Sequence, residues 1–307
     1  MQRKPKVTVI GSANVDLVIE TDRFPSPGET ILGNTFHQFL GGKGANQAVA
    51  ASRLGADVTF IGSVGEDIFG QQIVDNLRKE KVNVEHVLTI PTVSSGIANI
   101  QVAENDNIIT VIPGANANLT EEYIQSLSAV IVASDIVVLQ LEIPLEAVTI
   151  AIEIADKGNV PVILNPAPAV PLPEDLLRKV TFITPNETEM AILTSNAGQD
   201  FSVLFQQMFA LGSKSVVMTY GKHGVIYGER QRELQNYPAL TVQAIDTTGA
   251  GDTFNAAFAV CIACGKSVEE AIVYANAAAA LSITKLGAQT GMPTEDEVNR
   301  FLKRLSD

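Results

Sequence analysis

The 307-residue chain has few cysteines, no tryptophan, only 6% aromatic residues and no excess of basic charge. Cys261 and Cys264 are its only cysteines, which excludes a disulfide framework and favours a reducing compartment. No apolar run approaches the ~20 residues that a membrane-spanning helix needs. We therefore expect a cytoplasmic protein that does not cross a membrane.

Acidic residues outnumber basic ones. Asp and Glu total 34 and Lys and Arg total 21, so the formal net charge is −13. A surface of this sign repels nucleic acid and anionic membranes unless a local basic run counteracts it, and the sequence contains no such run. We expect small-molecule partners and no nucleic acid.

Short β-branched runs alternate with longer helical patterns along the chain. The strand candidates are continuous apolar runs, which are typical of strands buried on both faces. They are Val7–Ile10, Val58–Ile61, Ile136–Leu141, Val162–Asn165, Phe182–Pro185, Val216–Tyr220 and Val225–Gly228. The helix candidates are Ala45–Leu54, Gln71–Lys79, Leu145–Lys157 and Phe254–Cys264. This alternation predicts an α/β fold with a doubly wound, mostly parallel sheet flanked by helices.

Two segments, Leu17–Leu40 and Gly96–Ile112, break this alternation because they have the turns and alternating polarity of antiparallel hairpins. We expect them to form a small antiparallel sheet over one end of the main sheet. Long excursions of this kind are often lids. The sequence thus predicts one domain, 1–307, with a lid formed by approximately 13–40 and 94–112.

A glycine-rich loop, Asp246–Asp252, follows a predicted strand at Val242 and precedes an alanine-rich helix predicted from Thr253. Such a helix start presents unpaired backbone N–H groups and the positive end of the helix dipole, which together bind phosphate. Asp252 would stay ionised there and accept a proton from an attacking hydroxyl. The alternative is that Asp252 only caps the helix.

A second glycine-rich segment, Gly41–Asn46, precedes another predicted helix. Its glycines allow a ligand to approach the backbone, and Lys43 and Asn46 add hydrogen-bond donors. Upstream, Asn14 and Asp16 share one face of a strand. An amide beside a carboxylate suits a polyol, although a helix-entry loop and an Asx turn explain the same residues.

Two further segments admit a structural and a functional interpretation. Asn186 and Glu189 have the spacing of a capping box. In the functional interpretation, Glu189 lies near a phosphate-bound Mg²⁺ that keeps most of its waters. The segment Thr219–Gly224 joins two strand candidates and is interpreted as a glycine turn. The two cysteines resemble half of a zinc or redox motif, but their apolar helical pattern favours a core position.

Seven segments occur in one order along nearly the whole chain. They are Gly11–Asp16, Phe24–Thr30, Gly41–Ala48, Leu139–Glu142, Asn165–Ala169, Thr184–Glu189 and Asp246–Phe254. Together they resemble the ribokinase-like family of carbohydrate and purine kinases. The resemblance implies ATP-dependent phosphorylation of D-ribose at its 5-hydroxyl, which gives ribose 5-phosphate and ADP. The alternative is a kinase for another furanose such as 2-deoxyribose, or for a nucleoside.

The resemblance also implies a role for each matching position. Asp252 matches the catalytic base, and the backbone amides of Gly249, Ala250 and Gly251 match the anion hole. The ribose contacts match Asn14, Asp16, Gly42, Lys43, Gly44, Ala45, Asn46 and Glu142. The nucleotide contacts match Asn186, Thr219, Tyr220, Gly221, Lys222, His223, Gly224, Gly251 and Asn276. A non-catalytic sensor with the same fold is disfavoured, because the base and the glycines are both kept.

The family further implies ATP as co-substrate, Mg²⁺, and an activating monovalent cation, usually K⁺. Glu189 matches the glutamate linked to Mg²⁺ through water. The cation contacts match Asp246, Thr248, Ser282, Lys285, Gly287 and Gly291. In the family the lid also pairs two subunits into a homodimer. Asn14 suits a sugar with a 2-hydroxyl, since the family's deoxyribose kinases tend to carry an apolar residue there.

Overall fold

Two β-sheets organise the chain in a computed structural model that describes residues 3–104, 106–196, 198 and 200–306. The strands are β1 (Lys6–Ile10), β2 (Asn14–Glu20), β3 (Thr35–Gly41), β4 (Asp57–Gly65), β5 (Asn83–Ile90), β6 (Gly96–Ala103), β7 (Asp106–Ile112), β8 (Ile136–Leu139), β9 (Val162–Leu164), β10 (Phe182–Ile183), β11 (Ser215–Thr219), β12 (Val225–Glu229) and β13 (Gln235–Tyr237).

Helices occupy most of the connections between the strands. They are α1 (Lys43–Arg53), α2 (Ile68–Lys79), α3 (Glu121–Ser126), α4 (Ser128–Val132), α5 (Leu145–Lys157), α6 (Glu174–Leu177), α7 (Glu187–Leu193), α8 (Phe201–Ala210), α9 (Ala250–Ala263), α10 (Val268–Ser282), α11 (Ala288–Gly291) and α12 (Glu295–Ser306). Short 3₁₀ turns form at Gly114–Asn118 and Gly221–His223. Within the described ranges, no helix has the length and apolar character needed to cross a membrane.

The main sheet has nine strands in the order β13-β12-β11-β10-β9-β8-β1-β4-β5. Neighbours from β5 to β11 pair in parallel, and only the β11–β12 and β12–β13 pairs are antiparallel. The strand order reverses between β1 and β8, and ligands of such sheets bind outside the carboxyl ends of the strands at this point. The predicted doubly wound α/β fold is confirmed.

Apolar clusters cover both faces of the main sheet, because alternate residues of a strand point to opposite faces. Val7 and Val9 of β1 pack with Phe254 and Phe258 of α9 and with residues of α1 and α10. Ile10 packs in the opposite cluster with residues of α5 and α8. The main sheet is therefore buried on both faces, which explains the continuous apolar runs in the sequence.

The second sheet has four strands in the order β3-β2-β6-β7. Its outer pairs, β3–β2 and β6–β7, are antiparallel, as expected from the two hairpins. Its central pair, β2–β6, is parallel, because these two strands reach the sheet after a long crossover rather than a tight turn. The sheet combines the two irregular segments of the sequence; Asn105, inside the predicted lid, lies outside the described residues.

Two local predictions differ from the structure. The strand predicted at Val242 is wrong: residues 241–246 form no strand, and the amide of Ile245 donates to the carbonyl of Ile283 over 2.7 Å. Ile245 is 64% exposed, so this stretch crosses the surface instead of joining the sheet. The helix predicted from Thr253 begins earlier, at Ala250. Asp252 consequently lies within its first turn.

Candidate active site

The candidate site surrounds the first turn of α9, where the carboxylate of Asp252 is only 8% exposed. Its Oδ2 accepts a hydrogen bond from Asn46 Nδ2 and its Oδ1 accepts one from Gln47 Nε2, each over 3.0 Å. The helix is capped by Gly249 and not by the Asp252 side chain, so the capping alternative is wrong. Both carboxylate oxygens are thus held by α1 while the group faces the site.

Opposing influences act on the pKa of Asp252. Burial is the strongest and raises it, the positive charge of Lys43 and the amides of Asn46 and Gln47 lower it, and the negative charge of Glu142 raises it. The net result is a pKa above the usual value for an aspartate. A carboxylate made more basic in this way is a better proton acceptor.

The backbone at the start of α9 leaves amides available to an anion. Gly249 adopts a φ of 77°, a left-handed conformation that favours glycine. The Ala250 amide donates to the Thr247 carbonyl over 3.2 Å, whereas the amides of Gly251 and Asp252 have no backbone acceptor within the described chain. A Cβ on Gly251 would meet no atom within 4 Å. The helix start is therefore open to a ligand, and its N–H groups suit phosphate.

A cavity of about 560 Å³ is lined by Lys43 and Glu142, the two residues whose charges act on Asp252. Its lining comprises Asn14, Lys43, Val111, Pro113, Asn116, Ala117, Leu141, Glu142, Ile143, Pro144, Ala167, Pro168 and Glu189. Val111 belongs to β7, so the small sheet contributes one wall. The structure thus gathers predicted sugar contacts from β2, α1 and the end of β8 around a single space.

Carboxylates surround the buried ammonium group of Lys43. Burial opposes its charge, but the attraction of Asp252, Glu142 and Glu189 outweighs burial and raises the pKa of Lys43. Burial is also the main influence on Asp16, and together with repulsion from Glu142 and Asp252 it raises the pKa of Asp16 to about 6. The cavity therefore carries more negative than positive charge.

Backbone contacts at the start of α1 explain the glycines of this segment. A Cβ on Gly41 would overlap the carboxylate of Asp16, and a Cβ on Gly44 would overlap the backbone of Gly11. Glu142 accepts from the Lys43 amide over 3.1 Å and from the Ser12 hydroxyl. These contacts hold the start of α1 against the β1–β2 turn.

The remaining predicted sugar residues of α1 have different surroundings. Gly42, with a φ of 86°, lies against the backbone of Ala13. The Ala45 amide donates to the Ser12 carbonyl over 2.8 Å. Gly42, Gly44 and Ala45 therefore contact the neighbouring backbone behind the cavity, and Asn46 faces Asp252.

Asn116 is a site residue that the sequence patterns did not indicate. Its Nδ2 donates to Asn14 Oδ1 over 2.8 Å, and its Oδ1 accepts from the Ala13 amide over 2.9 Å. Gln47 was also missed as a functional side chain, although it lies inside a recognised segment and contacts Asp252. A polar residue directly after a recognised glycine-rich segment is the signal that identifies Gln47.

Hydrogen bonds and backbone contacts connect most of the predicted nucleotide contacts with one another. The Thr219 amide donates to the Pro185 carbonyl over 2.9 Å, which places Asn186 beside the Thr219–Gly224 turn. Asn276 donates to the Pro238 carbonyl over 2.9 Å. Pro238 in turn packs against Gly224, whose φ is 99°. This arrangement connects Asn276 to the turn.

The structural interpretations of these nucleotide segments are also borne out. Asn186 and Glu189 form a capping box, with both hydrogen bonds at 2.8 Å. Residues 221–223 form a 3₁₀ turn, and the rings of Tyr220 and His223 stack with centroids 4.5 Å apart. Glu189 has its second oxygen beyond the capping box and lines the cavity, so capping and a role near phosphate are compatible.

The predicted cation residues form a second cluster beside the glycine-rich loop. Asp246 Oδ1 accepts from the Thr248 amide over 2.9 Å and its Oδ2 accepts from the Gly287 amide over 2.7 Å. Burial raises the pKa of Asp246, but these hydrogen bonds outweigh it and lower the pKa. A Cβ on Gly291 would overlap the Ser282 carbonyl.

Lys285 completes this cluster through its main chain, because its carbonyl lies 3.7 Å from the Cβ position of Gly291. Carboxylate and carbonyl oxygens suit a hard cation. All six predicted residues therefore meet in one place.

The cysteines take no part in the site. Cys261 is buried, Cys264 is exposed, and both are free. Burial raises the pKa of the Cys261 thiol to about 12, which makes it unreactive. The core interpretation is confirmed for Cys261 and is wrong for Cys264. Among the described residues, no group of three or more His, Cys, Asp or Glu side chains could hold a metal ion.

Comparisons with known proteins agree with this geometry. The family model for pfkB family carbohydrate kinases matches residues 4–295. The chain is 44% identical to the ribokinase of Bacillus subtilis over 296 residues, which cover 96% of this chain and 99% of the relative. It is 38% identical to the deoxyribokinase of Salmonella typhimurium over 301 residues, which cover 96% and 98%.

A solved structure of Arabidopsis thaliana ribokinase complexed with ribose and ATP matches with a TM-score of 0.93 at 34% identity, over 98% of this chain and 99% of that one. The family match spans both sheets and every predicted site residue described above. The chain therefore belongs to the pfkB family of carbohydrate kinases.

Proposed function

We propose that the protein transfers the γ-phosphoryl group of ATP to the 5-hydroxyl of D-ribose. The observation that carries this proposal is the position of Asp252, whose carboxylate is held by two amides beside unbonded backbone N–H groups and interacts with Lys43 and Glu142 of the cavity wall. Phosphoryl transfer to an alcohol needs a positioned proton acceptor and donors for the phosphoryl oxygens. The ribokinase relatives support ribose as the sugar.

In this reaction Asp252 takes the proton of the sugar hydroxyl as the hydroxyl oxygen forms its bond to phosphorus. The bond between that phosphorus and ADP breaks, and ADP leaves. Negative charge on the transferred group is stabilised by the amides of Gly249, Ala250 and Gly251 and by the dipole of α9. The amide of Gly251 is the most accessible, because nothing lies within 4 Å of its Cβ position.

Ribose is a neutral polyol, and the cavity offers it both acceptors and donors. At the cavity wall, Glu142 accepts hydrogen bonds from hydroxyl groups, and Asn14 and Lys43 donate them. In this proposal Asp16 and Asn46 join these contacts when the sugar is bound. The amide of Asn14 is suited to a 2-hydroxyl. The similarity to a deoxyribokinase keeps 2-deoxyribose as the second candidate, followed by other furanoses and nucleosides.

ATP contacts, in this proposal, Asn186, Thr219–Gly224 and Asn276. Glu189 would hold an ATP-bound Mg²⁺ through a water molecule, since this ion usually keeps most of its waters. Glu189 fits the role of a water-mediated partner, since its carboxylate lines the cavity near Lys43. When bound, the ion neutralises phosphate charge during transfer.

A monovalent cation, K⁺ in this proposal, binds at the cluster of Asp246, Thr248, Ser282, Lys285, Gly287 and Gly291. The carboxylate and main-chain oxygens of this cluster fit such an ion, and the cluster is continuous with the glycine-rich loop. A bound cation would fix the backbone that precedes the anion hole. Replacing K⁺ with tetramethylammonium at constant ionic strength should lower kcat, and an unchanged kcat would contradict the site.

The small sheet is proposed to act as a lid over the sugar and as the surface of a homodimer in the cytoplasm. It contributes Val111 to the cavity wall, and a lid keeps water from competing as acceptor. Its outer face leaves Phe36, Ile108 and Ile112 at least half exposed, an apolar area that a second copy would cover. Light scattering after size-exclusion chromatography tests the dimer directly.

The decisive experiment is a sugar panel with ATP and Mg²⁺, with and without K⁺. We expect ADP release to have its highest kcat/KM with ribose, compared with 2-deoxyribose, fructose and adenosine. A preference for 2-deoxyribose or adenosine would replace ribose by that acceptor. No sugar-dependent ADP release with any of them would contradict the proposed kinase reaction.

A further inference from the structure

A chain of side-chain amides leads from α2 to the proposed base. Asn76 Nδ2 donates to Gln289 Oε1 over 2.8 Å, and Gln289 Nε2 donates to Asn46 Oδ1 over 3.1 Å. Asn46 Nδ2 then donates to Asp252 Oδ2 over 3.0 Å. Each residue of this chain donates a hydrogen bond to the next residue toward the Asp252 carboxylate.

The direction of these bonds matters because an amide has one donating end and one accepting end. Asn46 presents its Nδ2 to Asp252 only while its Oδ1 is occupied by a donor on the other side. Gln289 supplies that donor, and its own orientation is set because its Oε1 is occupied by Asn76. If the amide of Asn46 turned over, its oxygen would face the Asp252 carboxylate and the two acceptors would repel each other.

The other oxygen of Asp252 is held in the same way. Gln140 Nε2 donates to Gln47 Oε1 over 2.5 Å, and Gln47 Nε2 donates to Asp252 Oδ1. Gln47 also donates to Asn165 Oδ1 over 3.2 Å, and both glutamines are fully buried. Two buried amide chains therefore converge on one carboxylate, and both end in donors.

The backbone beneath Gln289 is anchored independently of its side chain. Arg53 Nη1 donates to the main-chain oxygens of Gln289 and Met292, over 2.5 and 3.0 Å, and Arg53 is paired with Glu80. The end groups of the Gln289 side chain can therefore be changed while α11 keeps its main-chain anchors. The Gln289 variants therefore test the loss of the amide group without a change in the position of α11.

We propose that Gln289 is a positioning residue for the catalytic base, which keeps a hydrogen-bond donor of Asn46 on Asp252 and so keeps the carboxylate ionised at the pH of catalysis. The inference rests on the proposed kinase function, because it assigns Asp252 as the base. Gln289 lies between two residues of the proposed cation cluster, Gly287 and Gly291, and therefore joins that loop to the base.

Other charged groups also face Asp252 and stay in place when Gln289 is changed. Lys43 from α1 lowers its pKa, and Glu142 after β8 raises it. Asp16 from β2 and Glu189 from α7 interact with it electrostatically. Since these groups are common to the wild type and Gln289→Met, a change in pH dependence between these two proteins reports the amide chain, whereas Gln289→Glu also adds a negative charge.

The test measures kcat at saturating ribose and ATP between pH 5 and 9 for the wild type, Gln289→Met and Gln289→Glu. Gln289→Met removes the donor and Gln289→Glu replaces it with an acceptor. We expect the acidic limb of the profile to move to higher pH, by about one unit for the first and by more for the second. On the alkaline side kcat should approach the wild-type value.

Two further variants complete the experiment. Gln207→Met is the matched control, since Gln207 lies on α8 with a buried, unbonded Oε1 and no contact with the amide chain. Its profile should superimpose on that of the wild type. Asn76→Leu removes the donor to Gln289 Oε1, so the amide of Gln289 is no longer held in one orientation, and this variant should give a smaller shift in the same direction. It preserves the test if a Gln289 variant does not fold.

Three outcomes overturn the inference. The first is an unchanged acidic limb in folded Gln289 variants, and the second is a loss of kcat that is equal at every pH, which indicates a structural role alone. The third is a wild type without sugar-dependent ADP release, which overturns the proposed function together with this inference. Active wild type with an unshifted variant profile overturns the inference only.

Discussion

Asn116 donates from Nδ2 to Oδ1 of Asn14 over 2.8 Å and is itself fixed at both ends of its amide to the backbone of Ala13. Because Asn116 cannot turn over without losing these bonds, Asn14 keeps its oxygen toward Asn116. The Nδ2 of Asn14 is then left for the cavity. The pair therefore presents a hydrogen-bond donor to the sugar.

Asn14→Leu is expected to reduce kcat/KM for ribose by about tenfold, the effect of losing roughly one hydrogen bond to the substrate. For 2-deoxyribose the reduction should be smaller, because that sugar has no hydroxyl at carbon 2. Steady-state kinetics with both sugars measure the ratio. The exposed Asn299→Leu serves as control, and an equal loss for both sugars would refute the role of Asn14.

Asp252→Asn should lower kcat by about 10²–10⁴-fold, as the loss of a general base typically does. The substitution preserves shape, so the melting temperature should stay near or above that of the wild type, since burial disfavours the charged carboxylate. ADP release and thermal unfolding give the two measurements. Asp156→Asn changes an exposed aspartate of α5 that does not line the cavity, and it should keep full activity. Near-normal turnover of Asp252→Asn is incompatible with the assigned base.

Gly249→Ala should mainly lower the stability of the protein, whereas Gly251→Ala should mainly lower its activity. At Gly249 the positive φ and the methyl of Ala288, 2.9 Å from the Cβ position, make the substitution destabilising, by roughly 1 kcal/mol or more. At Gly251 the added methyl meets no protein atom, but in the proposed reaction it lies beside a backbone amide that binds the transferred group.

We therefore expect Gly251→Ala to keep its melting temperature while kcat falls at least tenfold. Differential scanning calorimetry beside ADP release distinguishes the two variants. Equal activity of Gly251→Ala and the wild type would show that the transferred group lies elsewhere.

The raised pKa of Asp16 predicts a pH-dependent stability of the sugar-free protein. The pKa of Asp16 rises from its usual value of 3.8 to about 6 on folding, so the folded state holds the proton more tightly. The resulting stabilisation is present at pH below 3.8 and is lost as pH rises to above 6. Asp16→Asn should therefore raise the melting temperature at pH 8 and change it less at pH 5, while it weakens ribose binding.

Thermal unfolding of Asp16→Asn and the wild type at both pH values provides the measurement. Asp156→Asn, an exposed aspartate of α5, should show no such difference between the two pH values. A melting temperature of Asp16→Asn that is lower than that of the wild type at pH 8 would contradict the predicted sign.

The sequence was informative for the fold where strands are buried on both faces, and less so at the sheet edges. β1 and β8 have continuous apolar runs and were predicted within a few residues. The edge strand β5, Asn83–Ile90, alternates polar and apolar residues because one side of it is exposed. It has no continuous apolar run, so it was not predicted. β13 is only three residues long and gives too little pattern to detect.

The candidate site also contains residues that a local motif identifies and residues whose partners are distant in the sequence. The glycine-rich loop and Asp252 were recognisable because a phosphate-binding helix start is encoded within a few consecutive residues. Asn116 was not, because its partner Asn14 lies 102 positions away and no local motif surrounds it. The sequence indicated only some of the amide partners of Asp252, because their function depends on which end of each amide group faces the carboxylate.

The crowding of acidic side chains around Lys43 bears on how the enzyme completes a catalytic cycle. A neutral sugar enters without electrostatic cost, but the same sugar leaves carrying a dianionic phosphate. Asp16, Glu142 and Asp252 repel that new charge at close range, so the phosphorylated product is driven out after ADP has gone. Product inhibition should consequently be weak, and sugars that are already phosphorylated should be poor competitors for this pocket.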